Sequence, residues 1–241
     1  MDNQRIPAIL MSLLSFLCLA LIFWGLRKAY PNRSGGRSPL LLVSLLGIAW
    51  VLALSLLALK GFFSDFTHLP PRPGLAILFP LPFILFIAFS KKGTELLKRI
   101  PPHWLIYIQS FRILVELLLW LCYTKKLLPV QMTFEGRNAD ILTGILAIPA
   151  GYFYWAKKSW SGKLALAFNV LGLLLLLNIV VVAALSMPSP LRHFTNEPAN
   201  TLVGEFPFIF LPGILVPIAY SMHIFSLRQL RILSVGGKAR I

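Results

Sequence analysis

Apolar runs of about 20 residues, the length that a helix needs to cross the hydrocarbon core of a bilayer, recur along the whole chain. Short polar segments separate them, and none of these is long enough for a separate soluble domain. The sequence therefore predicts one all-α, polytopic integral membrane domain over residues 1–241. Its seven transmembrane helices have the approximate bounds 6–26, 39–59, 75–90, 104–123, 141–156, 164–187 and 208–227.

The basic residues are distributed unevenly between the two ends of these helices. Counted on alternate sides, 15 Lys and Arg residues lie on the side of the C-terminus and 7 on the side of the N-terminus. Because short cytoplasmic loops carry the excess of Lys and Arg, we expect the N-terminus outside and the C-terminus inside. The same bias predicts that anionic lipids of the inner leaflet contact the chain. Nucleic acid is not an expected partner, since the net charge of +15 forms no basic stripe with interleaved aromatic residues.

The fourth apolar segment carries polar residues in its interior. Gln109, Arg112 and Glu116 are spaced i, i+3 and i+7 and so fall on one helical face. A charged side chain at the bilayer centre costs about 2.5–3.5 kcal/mol, so these residues are expected to face the protein interior or a wet cavity. Arg112 and Glu116 are four residues apart and can pair along their own helix.

Three interpretations of this pair stay open. It can be a buried ion pair that fixes helix packing, a site where Arg112 offers a bidentate fork to a carboxylate, phosphate or headgroup, or part of a proton relay through Glu116. In the second interpretation Glu116 and Gln109 orient the ligand. Asn178 in the sixth span and His223 in the seventh contribute further polar groups.

A polar connection at residues 131–140 adds candidate ligand contacts. Glu135, Arg137, Asn138 and Asp140 can fold down as a lid over the outer mouth of a cavity. Asp140 has a simpler alternative, because an Asp directly before a helix commonly serves as its N-cap.

The sequence lacks the motifs of familiar catalytic, cofactor and metal sites, so no cofactor or metal is predicted. Motifs such as HExxH, GxSxG and the P-loop do not occur. The four histidines are dispersed, and the two cysteines, Cys18 and Cys122, form no metal-binding pattern. An intramembrane enzyme with Glu116 or His223 as its acid–base group is thus the weakest functional hypothesis.

Three segments, QSFRILVELLLW at 109–120, MTFEGRNADI at 132–141 and FPFIFLPGILVPIAYSMHIFSLRQL at 206–230, carry a resemblance. They resemble a group of small bacterial multi-pass membrane proteins, which implies a location in the bacterial inner membrane but no activity. The function expected from the residues is binding or transport of a small polar or anionic ligand, or of a lipid headgroup. The alternative is a structural or accessory subunit with a membrane protein partner.

Overall fold

Ten α-helices form the computed structural model, which describes residues 2–29, 39–157 and 159–238. These ranges contain no β-strand, and the predicted basic turn at 32–38 lies outside them. The helices are α1 (Asp2–Ala29), α2 (Pro39–Leu59), α3 (Arg72–Leu78), α4 (Pro80–Phe89), α5 (Lys91–Arg99), α6 (Pro102–Tyr107), α7 (Phe111–Thr124), α8 (Ile141–Trp155), α9 (Ser161–Ser186) and α10 (Val216–Lys238). A 3₁₀ turn at Ile108–Ser110 joins α6 to α7, and a π-helical segment at Leu211–Leu215 precedes α10.

Within the described ranges, five helical segments are long and apolar enough to cross a membrane, as expected for a membrane protein of several spans. They are Asn3–Ala29, Leu40–Leu59, Arg72–Phe89, Pro102–Thr124 and Ser161–Ser186, and they match the first four predicted spans and the sixth.

The other two predicted spans are less regular. The fifth is α8, an apolar helix of 15 residues, which at 1.5 Å per residue is about 22 Å long. The seventh is divided between the π-helical segment and α10. Seven crossings therefore stay a prediction.

Burial in this chain is inverted relative to a water-soluble protein. Large apolar side chains such as Leu46 and Phe86 are exposed, while Arg112, Glu116 and His223 are buried, Arg112 being the largest of the nearly inaccessible side chains. Charged residues are almost never fully buried in soluble proteins unless they are paired. An apolar exterior around a polar interior is the arrangement that a lipid solvent favours.

Small residues bring α8 close to its neighbours. Gly144, Ala147 and Gly151 are buried on one side of α8, which packs against α6, α7 and α9. A Cβ atom at Gly144 would lie 2.8 Å from the backbone nitrogen of Ile113, so a larger residue here would push α8 away from α7. Small residues at helix interfaces are the usual means of close packing in membranes.

The connections 60–71, 125–140 and 187–207 meet at one end of the helices, which we call the acidic end. The first and third share an apolar cluster of Phe66, Met187 and Val203. The second reaches the third where the Arg137 guanidinium lies 5.1 Å from the centre of the Phe194 ring.

The opposite end, which we call the basic end, contains α5 and the C-terminal half of α10. Gln229 of α10 is buried there, and its Nε2 donates a hydrogen bond of 2.7 Å to the carbonyl of Ile100 just after α5. Lys98 and Arg99 occupy the last turn of α5. Connections 60–71, 125–140 and 187–207 thus lie together at one end, and α5 and α10 meet at the other.

Candidate functional site

The centre of the buried polar groups is a bidentate ion pair between Arg112 and Asp140. Arg112 Nε donates to Asp140 Oδ2 over 2.7 Å, and Arg112 Nη2 contacts Asp140 Oδ1. Thr143 Oγ1 donates to Asp140 Oδ1 over 3.2 Å. Two parallel contacts from one guanidinium to one carboxylate form the strongest common geometry for such a pair.

This geometry corrects the expectation that Arg112 pairs with Glu116 along α7. It also corrects the simpler interpretation of Asp140: the residue occupies the N-cap position of α8, but its side chain caps no backbone N–H. The carboxylate instead binds Arg112. The contact between Arg112 and Asp140 therefore takes the place of the predicted Arg112–Glu116 pair and of the predicted helix cap by Asp140.

A chain of hydrogen bonds leads from Arg112 into α9 and α10. Arg112 Nη1 lies 3.1 Å from His223 Nε2, His223 Nδ1 lies 2.9 Å from Asn169 Oδ1, and Asn169 Nδ2 donates to Ser226 Oγ over 2.8 Å. All of these side chains are buried.

The groups on either side of His223 determine which of its ring nitrogens donates and which accepts. A guanidinium only donates, so His223 Nε2 must be the accepting nitrogen. Asn169 Nδ2 also reaches the Ala165 carbonyl, at 2.7 Å, so its oxygen faces His223 and accepts from Nδ1–H. His223 is therefore a neutral imidazole with its proton on Nδ1, as assigned from the network.

Gly172 of α9 makes room for this histidine. A Cβ atom at position 172 would lie 2.4 Å from His223 Cε1. The Gly172 carbonyl also accepts a long hydrogen bond, 3.4 Å, from Arg112 Nη1. Glycine thus allows both the imidazole and the guanidinium to lie against α9.

Glu116 lies beside this pair but has a different partner. Asn138 Nδ2 is 2.7 Å from both carboxylate oxygens of Glu116 and 3.1 Å from the Met132 carbonyl. The Oδ1 atom of Asn138 accepts from the backbone N–H of Asp140 over 3.1 Å. One asparagine therefore connects the Glu116 carboxylate to the backbone of Asp140.

Gln109 lies in the 3₁₀ turn that precedes α7, within the same helical segment Pro102–Thr124 as Arg112 and Glu116. Its Nε2 donates to the Ala219 carbonyl of α10 over 2.9 Å. The predicted face of Gln109, Arg112 and Glu116 is therefore buried as a unit, although each residue has a different partner.

A cavity of about 220 Å³ borders the ion pair. Arg112, Glu116 and Asp140 contribute to its wall, and the other lining residues come mainly from apolar positions of α3, α7, α9 and the segment around Pro212. Pro70 and Pro71 of the acidic end also line it. The cavity wall is thus polar where Arg112, Glu116 and Asp140 contribute to it and largely apolar elsewhere.

Three predicted site residues lie at exposed positions outside this cluster, namely Glu135, Arg137 and Asn178. Glu135 accepts a hydrogen bond of 2.7 Å from Trp120 Nε1, and Asn178 donates to the Arg137 carbonyl over 2.8 Å. These contacts hold connection 125–140 against α7 and α9. Asn138 and Asp140, from the same connection, reach the cluster, and Asp140 also borders the cavity, while Glu135 and Arg137 stay at the surface.

The acidic end carries carboxylates with different environments. Hydrogen bonds from the Thr67 hydroxyl and backbone N–H, with Arg72 nearby, lower the pKa of Asp65 to about 2. A hydrogen bond from Arg192 lowers the pKa of Glu197, whereas burial raises the pKa of Glu205. Asp65 and Glu197 therefore stay ionised across the neutral range.

Within the described ranges, no group of three or more His, Cys, Asp or Glu residues is arranged to hold a metal ion. The site is therefore a hydrogen-bonded ionic cluster.

Comparison with known proteins places this cluster in a family. The family described as "Domain of unknown function (DUF8737)" matches residues 73–231. The chain belongs to this family. The matched residues begin in α3 and end in α10, so they include the ion pair, Glu116 and the histidine chain.

No curated protein and no solved structure matches the chain. A domain of unknown function agrees with the resemblance to proteins without a known activity. The bacterial inner-membrane setting implied by that resemblance stays a prediction.

Proposed function

We propose that this chain is a multi-pass membrane protein that binds or carries a small molecule with a polar head and an apolar body. The observation that carries the proposal is the cavity of about 220 Å³ beside Arg112, Glu116 and Asp140. Ligand sites typically combine largely apolar walls with a few convergent polar groups. This volume is below the roughly 300–1,000 Å³ of drug-sized sites, so the ligand is small or inserts only part of its length.

The geometry favours a neutral or cationic head over an anionic one. All three guanidinium nitrogens of Arg112 already have partners, namely Asp140, His223 and the Gly172 carbonyl. A carboxylate, phosphate or lipid headgroup would form a bidentate pair with Arg112 only by displacing Asp140. A ligand that uses Glu116 needs no such exchange.

The proposal includes seven crossings with the N-terminus outside, in a bacterial inner membrane. The 15-to-7 distribution of Lys and Arg supports this orientation. The meeting of connections 60–71, 125–140 and 187–207 supports alternate crossings. The acidic end then faces outward and the cavity lies nearer to the outer surface, while the resemblance supports the bacterial setting.

Filling the cavity tests the proposal. Ala183 lines the cavity, whereas Ala167 on the same helix is exposed to lipid. In native mass spectrometry of detergent-purified protein, we expect a discrete adduct on the wild type and on Ala167→Phe, and none on Ala183→Phe. Bare wild-type protein, or the same adduct on all three proteins, would contradict ligand binding in this cavity.

A second candidate is a structural or accessory subunit, favoured by the internal pairing of Arg112, Asp140, His223 and Asn169. Such a network can fix helix packing without any ligand. It predicts that Arg112→Met combined with Asp140→Leu is tolerated in every assay. A growth or envelope defect at normal protein level would count against it.

A further inference from the structure

Glu116 is a buried carboxylate without an opposite charge of its own. Asp140 is paired with Arg112, but among the described residues no Lys or Arg nitrogen lies within 4.0 Å of the Glu116 carboxylate. Arg112, Asp140 and Glu116 together carry a formal charge of −1 when both carboxylates are ionised. An ionised side chain that is buried without a partner is strongly unfavourable.

The hydrogen bonds of Asn138 do not compensate for the missing counter-charge of Glu116. Its Nδ2 reaches the Met132 carbonyl and its Oδ1 accepts from the Asp140 N–H, so the backbone fixes the orientation of the amide. Asn138 therefore only donates to Glu116. It supplies no acceptor to a protonated Glu116 and no counter-charge to an ionised one, whereas the cavity borders the same carboxyl group.

We propose that the ligand of this cavity is a small organic cation with an apolar body, an ammonium whose charge lies on Glu116. The inference rests on the proposed function, since it names the ligand class of the same cavity. Without ligand, Glu116 is a neutral acid; when R–NH₃⁺ enters, the O–H bond of Glu116 breaks and the proton leaves to water. The carboxylate then pairs with the ammonium, so one cation replaces one proton and no covalent bond to the ligand forms.

The surroundings favour Glu116 as the exchanging group. The buried titratable and charged side chains on its own helix and on the elements near it are Arg112, Cys122, Cys18, Asp140, Tyr220 and His223. Arg112 and Asp140 neutralise each other, and the hydrogen bonds of His223 hold it neutral. The apolar walls suit the body of an organic cation, and the ion pair supplies a charge-assisted hydrogen bond that a neutral head lacks.

Three probes of one shape test this proposal: cyclohexylammonium, cyclohexanol and cyclohexanecarboxylate. Isothermal titration of purified protein at pH 7.5, in two buffers of different ionisation enthalpy, measures affinity and proton release together. We expect the ammonium to bind about tenfold or more tightly than the alcohol, as one charge-assisted hydrogen bond allows, and to release about one proton. Its affinity should fall about tenfold for each pH unit on the acid side, where protons compete for Glu116.

Glu116→Gln keeps the shape of the side chain and an acceptor for Asn138 but removes the charge. It should abolish proton release and reduce the preference for the ammonium to about twofold or less. Glu95→Gln makes the same change at an exposed position of the basic end and should leave both quantities unchanged. If Glu116→Gln does not fold, proton release and its pH dependence in the wild type still decide the question.

The outcomes separate this inference from the proposed function. If the alcohol or the carboxylate binds as tightly as the ammonium, and Ala183→Phe abolishes that binding, the cavity binds ligands but the cation assignment is wrong. If the ammonium binds without proton release, proton exchange at Glu116 is wrong. If none of the three binds the wild type, the cation assignment fails, and native mass spectrometry decides separately whether the cavity holds anything else.

Discussion

Arg112 pairs with Asp140 and not with Glu116, although both carboxylates lie near it. The sequence offers Glu116 one turn away on the same helix, and an i, i+4 pair on a helix is worth only about 0.2–0.5 kcal/mol. Asp140 comes from another segment and matches the planar guanidinium with both of its oxygens. A guanidinium deep in the protein needs this bidentate geometry to offset its desolvation.

A double-mutant cycle tests the Arg112–Asp140 pair. Asp140→Asn should lower the free energy of unfolding by about 3–5 kcal/mol, because it leaves the guanidinium buried without a counter-charge. Arg112→Met with Asp140→Leu should recover most of that loss, since both charges are then absent. Reversible unfolding in mixed micelles measures both quantities.

The exposed pair of Arg192 and Glu197, 2.8 Å apart, provides the control for this cycle. Glu197→Gln should leave the unfolding transition nearly unchanged, because surface pairs contribute little. Equal destabilisation by Asp140→Asn and Glu197→Gln would show that burial does not decide the strength of the Arg112 pair.

The sequence identified some site residues but not their contacts. Arg112, Glu116 and Gln109 are buried as predicted from their polarity inside an apolar segment, and His223, predicted as a further polar group of the site, is buried with them. Asn169 was not predicted for the site, yet it and His223 lie at similar distances from the same end of their predicted spans, so matching residues by depth could have paired them. Contacts between segments far apart in the chain leave no local pattern.

At the scale of elements, proline explains the irregular helices. Pro80 marks the boundary between α3 and α4, although Phe79 directly before it keeps helical backbone dihedrals, with φ −59° and ψ −42°. Pro217 has no N–H to donate to the carbonyl of Gly213, four residues earlier. Trp50 of α2 supplies the missing donor, with its Nε1 2.8 Å from the Gly213 oxygen. The proline signal is local and readable, but the tryptophan that satisfies the freed carbonyl comes from a distant helix.

Trp50→Phe tests this contact between α2 and the π-helical segment. The variant keeps an aromatic ring to stack on Phe79, at a centroid distance of 5.1 Å in the wild type, but leaves the Gly213 carbonyl without its donor. We expect a loss of about 1–3 kcal/mol in the free energy of unfolding, the cost of an unsatisfied buried acceptor. Unfolding in micelles provides the measurement.

Trp155→Phe, at an exposed position of α8, serves as the control for the Trp50 variant. It should leave stability nearly unchanged. If both variants have the same free energy of unfolding, the hydrogen bond from Trp50 to the Gly213 carbonyl does not contribute to stability.

At the scale of the molecule, the lengths of the apolar segments predict seven spans, and the distribution of Lys and Arg predicts their orientation. Among the described residues, five segments are long and apolar enough to span a membrane, while α8 is shorter and a π-helical segment precedes α10. Hydropathy reads each segment separately, whereas α8 is held by the close packing of Gly144 against α7.

Cysteine labelling tests the orientation. Cys18 and Cys122 are buried, so their reaction with a membrane-impermeant maleimide should be slow. In intact cells we expect Glu197→Cys at the acidic end to be labelled and Glu95→Cys at the basic end to be labelled only after permeabilisation. Labelling of Glu95→Cys alone in intact cells would reverse the proposed topology.

The hydrogen-bonded chain from Asp140 through Arg112, His223 and Asn169 to Ser226 also has a mechanical consequence. It ties α7, α9 and α10 into one stiff unit, because sliding any of them would break buried polar contacts. The wall that α3 contributes to the cavity is largely apolar, although a hydrogen bond of 3.0 Å from Tyr220 Oη to the Ile77 carbonyl ties α3 to α10. We therefore expect the cavity to open by displacement of α3, with loss of this hydrogen bond, against a frame of α7, α9 and α10 that does not deform.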